Sequence, residues 1–279
     1  MRKFNIRQQI GKLYLLTSVG YFQIAGASWV ALLAMRGFSL LEIGMLESIF
    51  HIVSCIFEIP SGVAADVFGR KKTMVMSQLA SLLSGVMMVW SEGFWATAFA
   101  IGFSALSYNL ASGTREALAY DSLKLVGKEN EYNTFAATDM MLYRIANSTS
   151  TLCAGLALFL GFRKAYTADI LFTLIALFIA CSLKEVEIGT KTDEKKVSDR
   201  VVNTVRESWH FLLLNKKMRR IMVINAIIGA VSTLVLFFLQ AKLPPCRIKS
   251  GDAGTGPFCH GDGSCFRFKS NITFSISFL

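Results

Sequence analysis

The sequence predicts an all-α polytopic membrane protein: a six-helix transmembrane bundle followed by a seventh transmembrane helix. Three observations carry that expectation. Hydrophobic residues make up 53% of the 279 residues and charged ones only 17%, with a mean hydropathy of +0.48, whereas a soluble domain carries more charge. The apolar residues fall into runs long enough to cross ~30 Å of hydrocarbon as helices. The Lys and Arg residues cluster in short loops on alternate sides of those runs, the pattern of membrane topology. The net charge of +10 therefore belongs to loops, and no basic face interleaved with aromatics points to nucleic acid.

Residues 1–12 carry Arg2, Lys3, Arg7 and Lys12 and are placed in the cytoplasm, so the N-terminus is cytoplasmic and the protein is expected in the cell membrane. Met1-Arg2-Lys3 before an apolar run imitates a secretory signal, but the run is too long and further spans follow, so it reads as a retained first helix. Span one is about 13–35, and Arg36 to Leu41 form an outer turn. Span two is about 42–64 and span three about 73–91, with Ser91-Glu92-Gly93 as the next outer turn. Span four is about 95–120, and the cytoplasmic loop after it holds Lys124 and Lys128. Span five is about 135–160; Arg163 and Lys164 then sit outside, a small breach of the charge rule, before span six at about 166–183.

Residues 1–183 thus make the N-terminal bundle, and 184–220 a basic cytoplasmic linker. Within the linker, Val197, Val201, Val205, Trp209 and Leu212 recur at helical spacing, which fits an amphipathic helix on the membrane surface or one packed on neighbouring loops. The seventh span is about 221–241 in a segment 221–243 that ends at Pro244-Pro245. Six cysteines are too scattered for a disulfide framework, and Cys55, Cys153 and Cys181 read as small packing residues inside apolar runs.

Between spans two and three stands Gly62-Val63-Ala64-Ala65-Asp66-Val67-Phe68-Gly69-Arg70-Lys71-Lys72. Gly62 permits close helix approach, Asp66 accepts hydrogen bonds where the helix ends, and Gly69 relieves a tight turn. The stretch resembles the signature loop of the major facilitator superfamily, roughly G-x-L-A-D-x-x-G-R-[KR], with matches at Gly62, Ala65, Asp66, Gly69, Arg70 and Lys71. Ala64 stands where Leu is usual and Val67 where a basic residue is common. Six spans, a long basic loop and another span is also that superfamily's layout, over about residues 5–243. The resemblance implies secondary transport by alternating access, with Asp66 pairing to basic groups near Arg70 and the loop contacting a second six-helix half. That half is the missing partner of this chain; a small-molecule substrate, a coupling ion and the lipid bilayer are the others. Substrate is expected near the midplane between halves. Ser112, Gly113, Glu116, Ala117, Tyr120 and Asp121 resemble a segment of bacterial drug and general exporters. The drug-exporter signature, however, sets an arginine within the apolar helix; Phe99 to Ala111 holds none, and Arg115 lies nearer the cytoplasmic end, a departure from the proton-coupled drug exporters, so the expected activity is the broader one of ion- or proton-coupled export of a small molecule.

Charged side chains inside spans cost about 2.5–3.5 kcal/mol each on insertion scales and mark function or pairing. Glu47, His51, Ser54 and Glu58 share one face of span two with Gly44 and Gly62, and Glu58 lies two residues before a helix-kinking Pro60. Glu47 and Glu58 are candidate proton carriers and His51 a relay; the same groups equally serve as hydrogen-bonding glue in a bundle. Tyr14, Thr17, Tyr21 and Ser28 in span one, with Gln23 nearby, and Asp139, Tyr143, Asn147 and Thr151 in span five are candidates to line the same cavity. Arg144 is a candidate anion binder or partner of Asp139 or Glu116, and Asp121 closes the set. No P-loop and no nucleophile–base motif is present, so neither ATP-driven transport nor an enzyme is expected, and no cofactor is implied.

After Leu243 the hydropathy falls abruptly. Cys259, His260 and Cys265 lack a second ligand pair, so no metal site is assigned, and Asn271-Ile272-Thr273 is too short a pattern to name a glycosylation site. Asp252 to Lys269 back-translates so that a shifted frame reads MLGPALFAMGMGAALGSK, an apolar, small-residue helix suited to an eighth span. The tail 244–279 is accordingly expected to be out of frame, and the competing reading of the chain is a transport-incompetent half that acts only as a membrane interaction module or is a degraded gene product. Sequencing the gene past the Leu243 codon checks this: an alternative frame should continue as a membrane protein, and the frame hypothesis fails if neither does.

Overall fold

The computed structural model describes residues 5–186, 206, 210, 211 and 213–242. The linker's amphipathic stretch and the tail after Lys242 lie outside those residues. Among the described residues the regular structure is all helical: α1 (Ile6–Gly20), α2 (Trp29–Met35), α3 (Leu40–Phe68), α4 (Arg70–Trp90), α5 (Gly93–Ala111), α6 (Thr114–Lys124), α7 (Tyr132–Leu152), α8 (Ala154–Leu160), α9 (Phe162–Ser182) and α10 (Lys216–Lys242). The helices α3, α4, α9 and the stretch Lys216–Val235 of α10 are each long and apolar enough to cross a membrane unaided.

Three expected spans are not single helices. Span one divides into α1 and α2, joined by a 3-10 turn at Gly26–Ser28. Span four divides at Ser112-Gly113 into α5 and α6, with Gly113 at φ +72°, a left-handed conformation suited to glycine. Span five divides at Cys153 into α7 and α8. Pro60, by contrast, lies inside α3 without ending it.

A broken helix in hydrocarbon must satisfy its freed backbone groups from other parts of the protein. Asp169 of α9 does this for span one. Its Oδ1 accepts from the Ile24 amide at 2.6 Å, and its Oδ2 from the amides of Ala25 at 3.0 Å and Gly26 at 3.1 Å. The Ser150 hydroxyl of α7 accepts from the Gln23 amide at 3.0 Å. Neither partner is visible in the local hydropathy of residues 13–35, which is why the sequence reads as one uninterrupted span there.

The core has two regions. One gathers Leu32, Leu33, Ile43, Leu46, Met88, Ile101 and Tyr166, and the other Leu13, Leu16, Met74, Leu118, Phe135, Ile179 and Leu183. Central α4 packs on both α5 and α9, α3 packs on α5, and α1 packs on α7 and α9. Small buried residues (Ala80, Ser84, Ala100, Ala105, Ala176 and Ala180) allow close approach. Hydroxyls stitch the α4–α5 seam: Ser77 donates to the Ser107 carbonyl at 2.8 Å and Ser84 to the Ala100 carbonyl at 2.7 Å. Ser39 begins α3 with a capping box closed by Glu42. Cys55 and Cys181, expected as packing residues, are exposed instead, since their positions fall on outward faces of α3 and α9. α10 touches α2 and presents its side chains from Lys216 to Val235 to the exterior.

Asp169→Asn replaces an acceptor oxygen with a donor that faces backbone N–H groups, leaving at least one of them unpaired at a cost of about 1–3 kcal/mol. Unfolding in mixed micelles should show that loss; an unchanged midpoint would overturn the role given to this carboxylate.

Candidate functional site

The helix breaks bring α1, α6 and α7 together around a buried arginine. Arg115 is the second residue of α6, where Gly113 has just redirected the chain. Its Nη2 lies 2.9 Å from Glu116 Oε1 and 3.2 Å from Asp139 Oδ2, and the guanidinium sits over the Tyr21 ring at 5.4 Å. Tyr21 meets Tyr143 edge to face at 4.7 Å. The side chains of Arg115 and Asp139 are only 12% and 7% exposed, so their charges lean on each other rather than on solvent.

The Thr17 hydroxyl lies 2.5 Å from Asp139 Oδ1 and 3.2 Å from the Leu13 carbonyl. A hydroxyl has one proton to give. With Asp139 ionised, Thr17 donates to the carboxylate. With Asp139 protonated, the carboxyl donates to Thr17, which turns its own proton to Leu13. Both states of Asp139 are therefore hydrogen-bonded in the same geometry. Two carboxylates surround one guanidinium, so the cluster has a formal charge of −1 and one added proton neutralises it. Arg115 Nε and Glu116 Oε2 are buried without a hydrogen-bond partner among the described residues, polar capacity available to water or a ligand.

Tyr21, Asp139 and Tyr143, grouped from spans one and five in the sequence, thus stand together, and Glu116 joins them from α6. Arg144 does not join them. It is exposed, lies 5.7 Å from the Tyr143 ring, and leaves to Arg115 the pairing expected of it. The physical reason is periodicity: Arg144 follows Tyr143 directly and so points off the Asp139 face. Asn147 is exposed on α7, and its carbonyl accepts from Thr151. On α3, Glu47 pairs with His51 at 3.3 Å, Ser54 donates to buried Asn109 at 2.8 Å, and Glu58 is exposed. Asp121 belongs elsewhere, at the corner between α3 and α4.

That corner is organised by partners other than those expected. Arg70 pairs with Asp121 and donates to the Ala117 carbonyl at 2.6 Å, tying α4 to α6. Asp66 is exposed and has no ion pair among the described residues. Gly69 has φ +97°, and a Cβ there would stand 2.8 Å from Glu185 Oε2. The Glu185 carboxylate accepts from the Lys71 amide at 3.1 and 3.2 Å, so it caps the start of α4. Gln9 exchanges two hydrogen bonds with the backbone of Lys184, at 2.9 and 3.1 Å. The close contact expected at Gly62 is absent: a Cβ there meets nothing within 4 Å among the described residues.

Sequence reasoning does not select Arg115, Asp169, Asn109 or Glu185. Arg115 and Glu185 lie at helix ends, where charge looks ordinary. Asp169 is an isolated carboxylate in an apolar run and is open to the same rule that picks out Glu47.

Residues 13–249 match the family model described as Major Facilitator Superfamily. A protein of Bacillus subtilis (strain 168), printed as "Uncharacterized MFS-type transporter YxaM", is 32% identical over 88 residues, which are 32% of this chain and 22% of that protein. The chain thus matches about a fifth of that relative's length.

Removing Arg115 strands two carboxylates. Arg115→Gln should destabilise the protein by about 3–5 kcal/mol, as loss of one partner of a buried pair does. Adding Asp139→Asn should recover part of that loss. A double-mutant cycle by unfolding in micelles measures the coupling, and strict additivity would show that the two groups do not interact.

Proposed function

This chain belongs to the major facilitator superfamily, a family of membrane transporters, and from that premise we propose secondary active transport as its work: a small molecule leaves the cell in exchange for protons or another ion. The Thr17–Asp139–Arg115–Glu116 cluster is the observation that carries the reading. It holds one carboxylate in excess of its cation. Asp139 keeps a hydrogen-bond partner whether or not it carries a proton, so loading and unloading strand no polar group in hydrocarbon. Arg115 retains Glu116 when Asp139 is neutral. Tyr21 and Tyr143 wall the cluster with aromatic surface suited to a small organic substrate.

In this reading the N-terminus and the Gly69–Lys72 corner face the cytoplasm of a cell-membrane protein, following the loop charges. Residues 1–183 are one bundle, 184–220 a linker and 221–243 the first helix of a further part. Alternating access then uses a second six-helix half opposite the exposed faces of α3 and α7. The corner's pairing of Arg70 with Asp121 holds α4 and α6 together as that half rocks.

A different observation favours a second reading, a bundle that acts by pairing within the membrane and does not transport. α10 is exposed from Lys216 to Val235, and α3 leaves His51 and Glu58 open. Such faces serve association as well as they serve a transport cavity.

Vesicles reconstituted with the purified chain and loaded with a pH-sensitive dye discriminate the readings. A panel of small molecules should include some whose addition drives proton movement, and Asp139→Asn should abolish it. Proton movement that survives Asp139→Asn refutes the coupling role; none with any compound favours the pairing module.

A further inference from the structure

A cavity lies within the bundle, lined by none of the Arg115 cluster residues. It has a volume of about 300 Å³ and is bounded by α2, α3, α4, α5 and α9. That size is at the lower edge of ligand pockets and suits a molecule of roughly one ring and a short chain. Glu47 and Asp169 both line it, from opposite elements, and no Lys, Arg or His does. Arg36 donates to the Ser91 hydroxyl at 3.0 Å and lies 4.2 Å from the Phe162 ring. His51 stands outside the lining, against Glu47.

Part of the polar lining is unclaimed. Hydroxyls in these helices mostly bond back to their own backbone or across a seam, as Ser84 does. Ser81, Ser104 and the side-chain amide of Gln23 line the cavity and make no hydrogen bond to any described residue. Trp29 and Phe50 supply aromatic faces on the same walls. Carboxylates, aromatic faces and free hydroxyls, with no Lys or Arg in the lining and the His51 imidazole against Glu47 from outside it, make the chemistry of ammonium recognition.

We infer that this intrabundle cavity binds a small organic cation: an ammonium group paired with Glu47, with its carbon frame against Trp29 and Phe50. Asp169 contributes field rather than a direct bond, because its oxygens already accept three amides. Ser81 and Ser104 receive or give the remaining hydrogen bonds. The site is separate from the proton-bearing cluster assigned to Asp139, and its test needs no transport, so the two readings fail independently.

The test is equilibrium binding of radiolabelled phenethylammonium to the purified full chain in detergent. Saturable binding is expected, displaced by unlabelled amine but not by phenethyl alcohol or phenylacetate. Glu47→Gln should weaken it about tenfold or more, the size of one lost charge-assisted hydrogen bond. Ser81→Leu fills the cavity without touching either carboxylate and should also remove binding. Glu92→Gln, at an exposed surface position, should leave it unchanged. No saturable binding at millimolar amine, equal displacement by the alcohol or the anion, or full binding by Glu47→Gln each overturns the assignment.

Discussion

The arrangement depends on the Asp169 carboxylate accepting three amides from the interrupted first span. In hydrocarbon no water is at hand to take up the hydrogen bonds that a helix loses where it stops. Here a partner from another helix takes them up, and the break lets Tyr21 and the end of α1 meet α7. The site around Arg115 exists because a distant carboxylate makes an irregular backbone tolerable. The same carboxylate borders the intrabundle cavity, so one group supports the fold and colours the electrostatics of a neighbouring space.

Charge is distributed with economy. The cluster of Arg115, Glu116 and Asp139 holds a cation with its neutralising carboxylates, whereas the cavity by Glu47 is lined by carboxylates and by no Lys, Arg or His, with His51 against Glu47 outside the lining. In the readings proposed for them, the first rearranges internally when a proton arrives and the second is completed by a cation from outside.

Much of this was legible in the sequence, and the rest failed for identifiable reasons. The uninterrupted helices α3, α4 and α9 follow from hydropathy alone, within a few residues at their ends. The interrupted ones do not, because hydropathy averages over a break, and the acceptors that license this one lie 143–145 residues away in the chain. Spacing four along α7 groups Asp139 with Tyr143, which the structure sets beside Arg115 and Tyr21, and then runs on to Asn147, which the helix carries outward. Sequence adjacency offers Arg144 as a candidate cation, while the structure delivers Arg115 from another helix. At the corner, glycine at position 69 was legible as backbone relief, but not the carboxylate that crowds it from Glu185.

That crowding has a consequence for how the protein can change over generations. The left-handed backbone at position 69 strains any side chain there, and a Cβ would in addition push aside the carboxylate of Glu185. Position 185 loses a helix-capping contact if it changes first. A change at either locus is therefore felt at the other, across 116 positions of sequence.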